Sequence, residues 1–257
     1  MPWESPHPTA KFDFLGVPLQ RLSPDQLVES FESALESEGP LHFSYLNAAV
    51  SNLAAEDPNL GRILRKADLV YVDGFGVRLG CWILGISCPP RSTAADFWPR
   101  IMEICCRKRK SVGLLGGTPG AAQTLRIGLL KRFPDLRIPF VCDGYEEFEE
   151  EKNWRSHLAN DPPDLLLVGL GVPKQEEWIE KCRNQFGVRL YWSVGALFEY
   201  DVGALKRAPT WMRTIGLEWV HRLWAEPGRL WKRYLIGNPR FLLRCLSSRL
   251  RGRGGTF

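Results

Sequence analysis

Short apolar runs recur along the chain, with amphipathic stretches between them. Leu41 to Leu46, Asp68 to Val72, Ser111 to Leu115, Leu136 to Cys142, Asp164 to Gly169 and Arg189 to Val194 are dominated by consecutive apolar positions. Runs of that length predict strands buried on both faces. Ala94 to Arg107, Pro119 to Phe133 and Pro173 to Phe186 instead repeat their apolar residues at helical spacing. The alternation predicts an α/β fold, a mostly parallel sheet with helices on both faces. No internal repeat is visible. The run YEEFEEEK at 145–152 reads as a solvated helix start. After Arg207 the strand pattern stops, and Pro209, Pro227 and Pro239 are expected to divide the remainder into two or three short helices. The organisation expected is a core over residues 1–208 and a C-terminal helical appendage over 209–257.

Sheets of this kind bind ligands at the carboxyl ends of their strands. Polar and glycine residues stand at each such end: Asn47, Asp73-Gly74, Gly116-Gly117, Asp143-Gly144, Gly169 to Gln175, and Gly195. Leu114 to Gly120 (LLGGTPG) reads as strand, glycine turn and helix start, a place where free N–H groups meet an anion such as a diphosphate. A tight βα turn without ligand is the plain alternative. Gly169 to Glu176 (GLGVPKQE) repeats the logic. It places Pro173 at the first helical position and the Gln175 amide within reach of a ligand at the strand end. Glu176 and Glu177 then read as acids favouring the helix dipole. Asp73 is a candidate general base and Asp143 a second, and the sequence does not rank them.

Composition adds location. The apolar and charged fractions, 44% and 25%, are those of a globular protein. No apolar stretch reaches the ~20 residues of a membrane span, and MPWESPHPTAKFDF does not read as a secretory leader. Seven cysteines without a zinc spacing or CxxC suggest free thiols in a reducing cytosol. Acids and histidines do not cluster at metal-ligand spacing, so neither a metal nor a cofactor is expected. Charge is unevenly placed. From Leu205 onward twelve Lys/Arg face two acids, Glu218 and Glu226, so this tail carries +10 and the rest of the +5 chain −5. Trp211, Trp219, Trp224 and Trp231 lie among those cations, a mixture suited to an anionic membrane surface. A solvated Arg-rich helix has the same composition.

The strings ADLVYVDGFGV, LLGGTPG, CDGY, VGLGVPKQEEWI, SVGALFE…G…KRAP and GLEWVHRLWAEPGR resemble, in order and spacing, the WecG/TagA/CpsF glycosyltransferases, glycosyltransferase family 26. The likeness runs from about Leu41 to Arg233. It implies an inverting, metal-independent, membrane-associated transferase with a Rossmann-like core. Such an enzyme moves a sugar from a UDP-sugar donor onto a polyprenyl-diphosphate-linked saccharide for a cell-envelope or exported polysaccharide. N-acetylmannosamine and its uronic acid are typical donors, and some members use glucose. The implied setting is cytoplasmic and peripheral on the inner face of the membrane, with a homo-oligomer left open.

Residue by residue, the resemblance puts the base on Asp73 and a catalytic arginine on Arg91 in RSTAADFW. Asn47, Gln175 and the glycines Gly116, Gly117, Gly171 and Gly195 fall at substrate positions. Arg222 and Arg229, with Lys232 or Arg233 next, fall on the appendage arginines thought to hold the diphosphate and close the site. There are three departures. Tyr45 stands where the family usually has Thr, Glu199 where it often has Asp, and Thr93-Ala94-Ala95-Asp96 where it begins a helix with Gly. Tyr45 bears most on the donor sugar. Two other classes are weighed. A nucleotide-binding oxidoreductase would carry the dinucleotide glycine spacing, which is missing. A nucleic-acid module would carry a recognised motif, and no nucleic acid is expected beside an acidic core.

Overall fold

Six parallel strands in the order β4-β3-β8-β7-β5-β6 form the centre of the computed structural model. It describes residues 3–7, 11–145, 148, 151–201, 203 and 208–252, with backbone alone for 151–153. Much of the acidic run at 145–152, and Lys206 and Arg207 of the KRAP string, therefore lie outside the described residues. The strands are β3 (Leu41–Leu46), β4 (Leu69–Val72), β5 (Val112–Gly116), β6 (Phe140–Cys142), β7 (Leu165–Gly169) and β8 (Leu190–Ser193). Register places Leu46 beside Val72, Val168 beside Ser193 and Gly116 beside Gly169. Because all six strands run the same way, every carboxyl end reaches one edge, and the loops after them form one cluster.

Helices cover both faces. One carries α1 (Pro24–Glu36), α5 (Ala94–Arg107) and α6 (Ala121–Arg132). Ser23 starts α1 with a capping box: its hydroxyl accepts from Gln26 N, and Gln26 Oε1 accepts from Ser23 N. Phe31 of α1 lies 4.9 Å from Phe43, 5.8 Å from Phe97 and 4.6 Å from Trp192 between ring centres. Phe31→Ala would cost about 3–5 kcal/mol. The other face carries α2 (Ala48–Glu56), α3 (Pro58–Lys66) and α4 (Phe75–Leu84) toward β3 and β4. It carries α7 (Glu151–Asn160) toward β6 and α8 (Lys174–Cys182) toward β8, and the short α9 (Leu197–Asp201) follows β8.

Three features depart from the sequence reading, the first being that the strand expected over Leu136 to Cys142 forms only over Phe140–Cys142. A hairpin of β1 (Lys11–Phe14) and β2 (Val17–Gln20) precedes α1. Its four-residue strands are too short to register as a period. Leu15 and Gly16 turn it with φ of 53° and 88°, and Asp13 Oδ1 accepts from Gly16 N at 3.0 Å. Among its described residues the tail forms four α-helices: α10 (Thr210–Thr214), α11 (Glu218–Ala225), α12 (Pro227–Trp231) and α13 (Gly237–Leu250). Pro239 does not divide it. A π-turn over Lys232–Ile236 widens the helix just before Pro239, making room for a ring that cannot donate to the preceding turn. Phe241 and Cys245 of α13 are buried, and the Phe241 ring lies 6.0 Å from Phe14. Gly80 of α4 permits this approach: a Cβ there would lie 2.9 Å from Phe241.

Candidate active site

Strand ends and tail enclose two adjoining chambers. The smaller, about 370 Å³, is lined by Tyr45, Asn47, Tyr71, Asp73, Arg91 and the tail residues Glu218, Trp219 and Tyr234, among others. The larger, about 1240 Å³, is lined by Gly117, Gly171, Gly195, Glu199, Arg229 and Lys232, with Tyr145 and Arg240 at its edge. Tyr45, Ala49, Ala196, Arg222 and Arg233 line both and so stand at the junction.

Asp73 follows β4, where its N–H is donated to Leu46 O at 2.9 Å, and Gly74 at φ 80° turns the chain into α4. Asn47 caps α2 by accepting from Val50 N at 3.0 Å. Its amide nitrogen donates to Asp73 Oδ2 at 3.4 Å. Asp73 lines the smaller chamber, and burial pushes its carboxyl above the ordinary value, against the opposing Asn47 bond. A carboxylate so placed takes a proton from a hydroxyl more readily than an exposed one. Asp143 is 8% exposed, accepts from Tyr145 N at 2.9 Å and lines neither chamber. Of the two acids, only Asp73 lines a chamber.

Arg91 is held rather than free. It donates to Glu218 Oε2 at 3.0 Å and to Asp96 Oδ2 at 3.1 Å. Arg222 lies over the Tyr200 ring, 5.2 Å from its centre. Arg229 is paired with Glu226 beside it. Tyr45 presses on Gly195: a Cβ there would lie 2.6 Å from the hydroxyl oxygen, so only glycine fits. Glu199 Oε1 accepts from Thr118 N at 3.2 Å, taking up one N–H of the first glycine turn.

Two sequence candidates stand behind the walls. Gly116 is packed on β7, where a Cβ would meet Gly169 C at 2.4 Å, and it lines neither chamber. Gln175 is 0% exposed, so its amide does not reach the chamber as expected. It points into the protein because Gly195 N donates to its Oε1 at 3.2 Å and its Nε2 donates to Glu176 at 2.7 Å. Glu218 and Tyr200 were not singled out by the sequence, and Arg233 only as an alternative to Lys232. One signal for Glu218 was available, since it is one of two acids in a tail of twelve cations.

All seven cysteines are free. Among the described residues no helix is long and apolar enough to cross a membrane, and no group of three acid, histidine or cysteine side chains is placed to hold a metal ion.

The chain is similar to the N-acetylglucosaminyldiphosphoundecaprenol N-acetyl-beta-D-mannosaminyltransferases of Staphylococcus aureus. Those of strains MRSA252, NCTC 8325 / PS 47 and COL are each 30% identical over 227 residues, covering 86% of this chain and 89% of the relative. Residues 12–255 match the Glycosyl transferase WecG/TagA/CpsF family. The protein is a glycosyltransferase, and it belongs to that family.

Proposed function

We propose that this enzyme moves a sugar from a UDP-sugar to a polyprenyl-diphosphate-linked saccharide, with inversion, while seated peripherally on the inner face of the membrane. The observation that carries the reading is the shared wall of the two chambers. Asp73 opens into one, the glycine turns open into the other, and Arg222 and Arg233 stand between them. A donor whose nucleotide lies in the larger chamber would direct its anomeric carbon across the junction. An acceptor hydroxyl in the smaller one would then face Asp73.

Asp73 takes the acceptor proton as the hydroxyl attacks the anomeric carbon from the side opposite the UDP oxygen. The C–O bond to UDP breaks as the new glycosidic bond forms. The departing diphosphate gains charge at the junction, where Arg222 and Arg233 stabilise it without a metal. Asn47 orients Asp73, Arg91 positions the acceptor, and residues 209–257 act as the appendage that closes the site. Lys232 and Arg229 add positive charge to the donor side, and Gly117, Gly171 and Glu199 shape it. The donor is taken as the N-acetylmannosamine type first, because the relatives' names carry that sugar. Tyr45 at the junction is the residue on which sugar choice turns.

The test is a panel of UDP-sugars supplied with a short-chain polyprenyl-diphosphate N-acetylglucosamine acceptor, read by mass spectrometry of the lipid product. UDP-N-acetylmannosamine, its uronic acid or UDP-glucose should add one sugar and release UDP, in the presence of EDTA. Absence of lipid-linked product with all three, from protein that binds UDP, overturns the acceptor assignment.

A further inference from the structure

Acids in the first turn of a helix ordinarily face solvent, where the helix dipole favours them. Glu177 of α8 does so and is exposed. Glu176, one residue earlier, is turned inward and is 1% exposed. Its Oε1 accepts from Gln175 Nε2 at 2.7 Å and from Ser44 Oγ at 3.4 Å. Its Oε2 has no hydrogen-bond partner among the described residues. Burial pushes its carboxyl up to about 7, although the Gln175 bond opposes the shift. A half-satisfied buried acid lowers stability compared with an apolar side chain of like size.

The consequence of keeping it is visible in Gln175. A glutamine amide has nearly the same shape with oxygen and nitrogen exchanged, so packing alone does not choose between the two orientations. A carboxylate only accepts. It therefore draws the NH₂ group toward Glu176 and turns the carbonyl toward Gly195, where it receives that residue's N–H at 3.2 Å. Gly195 begins the turn from β8 into α9 with φ 56°. That turn carries Ala196 to the junction and Glu199 into the larger chamber. Two hydrogen bonds thus run in series from a buried carboxylate to the Gly195 turn at the chamber wall.

We infer that Glu176 is a positioning residue of the transferase: its carboxylate fixes the Gln175 amide, and through it the Gly195 turn that forms the back wall of the donor chamber. The inference rests on the donor reading of that chamber.

Four full-length proteins test it at pH 8: wild type, Glu176→Gln, Glu176→Ala and the exposed control Glu177→Gln. UDP affinity is measured by calorimetry, together with the thermal midpoint and the kcat and donor KM. Glu176→Gln should weaken UDP about tenfold, the scale of one charge-assisted hydrogen bond. Glu176→Ala should weaken it further, and Glu177→Gln should match wild type. Donor KM should rise more than kcat falls, while the midpoint of Glu176→Gln stays at or above that of wild type. A UDP affinity for Glu176→Gln and Glu176→Ala within twofold of wild type overturns the inference. So does an affinity loss accompanied by a lower midpoint in Glu176→Gln, which would make the residue structural. Wild type that fails to bind UDP overturns the donor reading itself, and this inference with it.

Discussion

Arg91 Nη1 donates to Glu218 Oε2 at 3.0 Å, which joins the loop before α5 to the first turn of α11 inside the smaller chamber. The two side chains are 15% and 19% exposed, so the pair is poorly screened by water. Asp96 extends the link, accepting from Arg91 at 3.1 Å and from Arg213 at 3.3 Å. Core and tail are therefore stitched together by charge beside Asp73. Glu218→Gln should lower turnover on lipid and water-soluble acceptors alike, by roughly tenfold, because Arg91 loses one of its two carboxylate partners and keeps only Asp96. Its stability should fall by about 1–3 kcal/mol in denaturant unfolding. Full activity in this variant would mean that Arg91 needs no orientation from the tail.

Asp73→Asn should retain fold and UDP affinity while losing ~10²–10⁴ in rate, since Asn keeps the shape and cannot take the proton. The pH profile is a second check. Burial raises the Asp73 carboxyl above its ordinary value, so the base loses activity as pH falls through that raised pKa. The acid limb of kcat/KM in wild type should therefore lie above the ordinary carboxylate range. Replacing Asn47 by Ala removes the bond that favours the ionised form and should move the limb higher still. A limb at the value of an exposed aspartate would count against Asp73 as the base.

The parallel sheet, its six strand ends and the two glycine turns were legible because buried parallel strands write apolar runs and ligand edges write glycine and polar residues. β3 was read to the residue. What stayed hidden depended on the direction a side chain takes. Gln175 and Glu176 occupy a first helical turn, where sequence spacing does not say which face meets the chamber. Gly116 and Gly117 are adjacent in one motif, yet only Gly117 lines the chamber, because Gly116 is pressed onto Gly169. Pro239 read as a break because sequence does not announce a π-turn. Glu218 approaches Arg91 across 127 positions, a pairing that tertiary structure alone creates.

Glu176 also predicts a pH dependence of stability. Its carboxyl is raised in the folded state from 4.5 to about 7. The folded protein thus holds that proton more tightly than the unfolded chain between these values. The associated stability is fully present below pH 4.5 and is lost as pH rises through about 7, amounting to roughly 3 kcal/mol. Glu176→Gln has no such proton. Its thermal midpoint relative to wild type should rise by several degrees from pH 5 to pH 8. A constant difference across that range would show that Glu176 is ionised, or neutral, throughout.

The tail carries two roles that different residues should separate. Phe241 and Cys245 belong to the core packed around Phe14 and Cys81, so deleting the tail would open that core and remove both roles at once. Point variants are the cleaner probe. Trp224 is 86% and Trp211 63% exposed, so neither is held by the core. Each ring removed from a membrane interface gives up its apolar contact, while the basic residues around it still supply about 1 kcal/mol each near anionic lipid. Trp211→Ala with Trp224→Ala should therefore weaken sedimentation with anionic vesicles and leave transfer to a water-soluble acceptor near wild type. Arg222→Ala and Arg233→Ala should do the reverse. They stand at the junction of the chambers, where loss of one donor to a developing charge costs about 10²–10³ in kcat, and ten other basic residues remain in the tail. Arg229→Ala should cost less, because Arg229 is already paired with Glu226 and lines only the larger chamber. If Arg222→Ala and Arg233→Ala stay fully active on the soluble acceptor, the junction is not where the diphosphate leaves. The smaller and larger chambers would then have to be assigned anew.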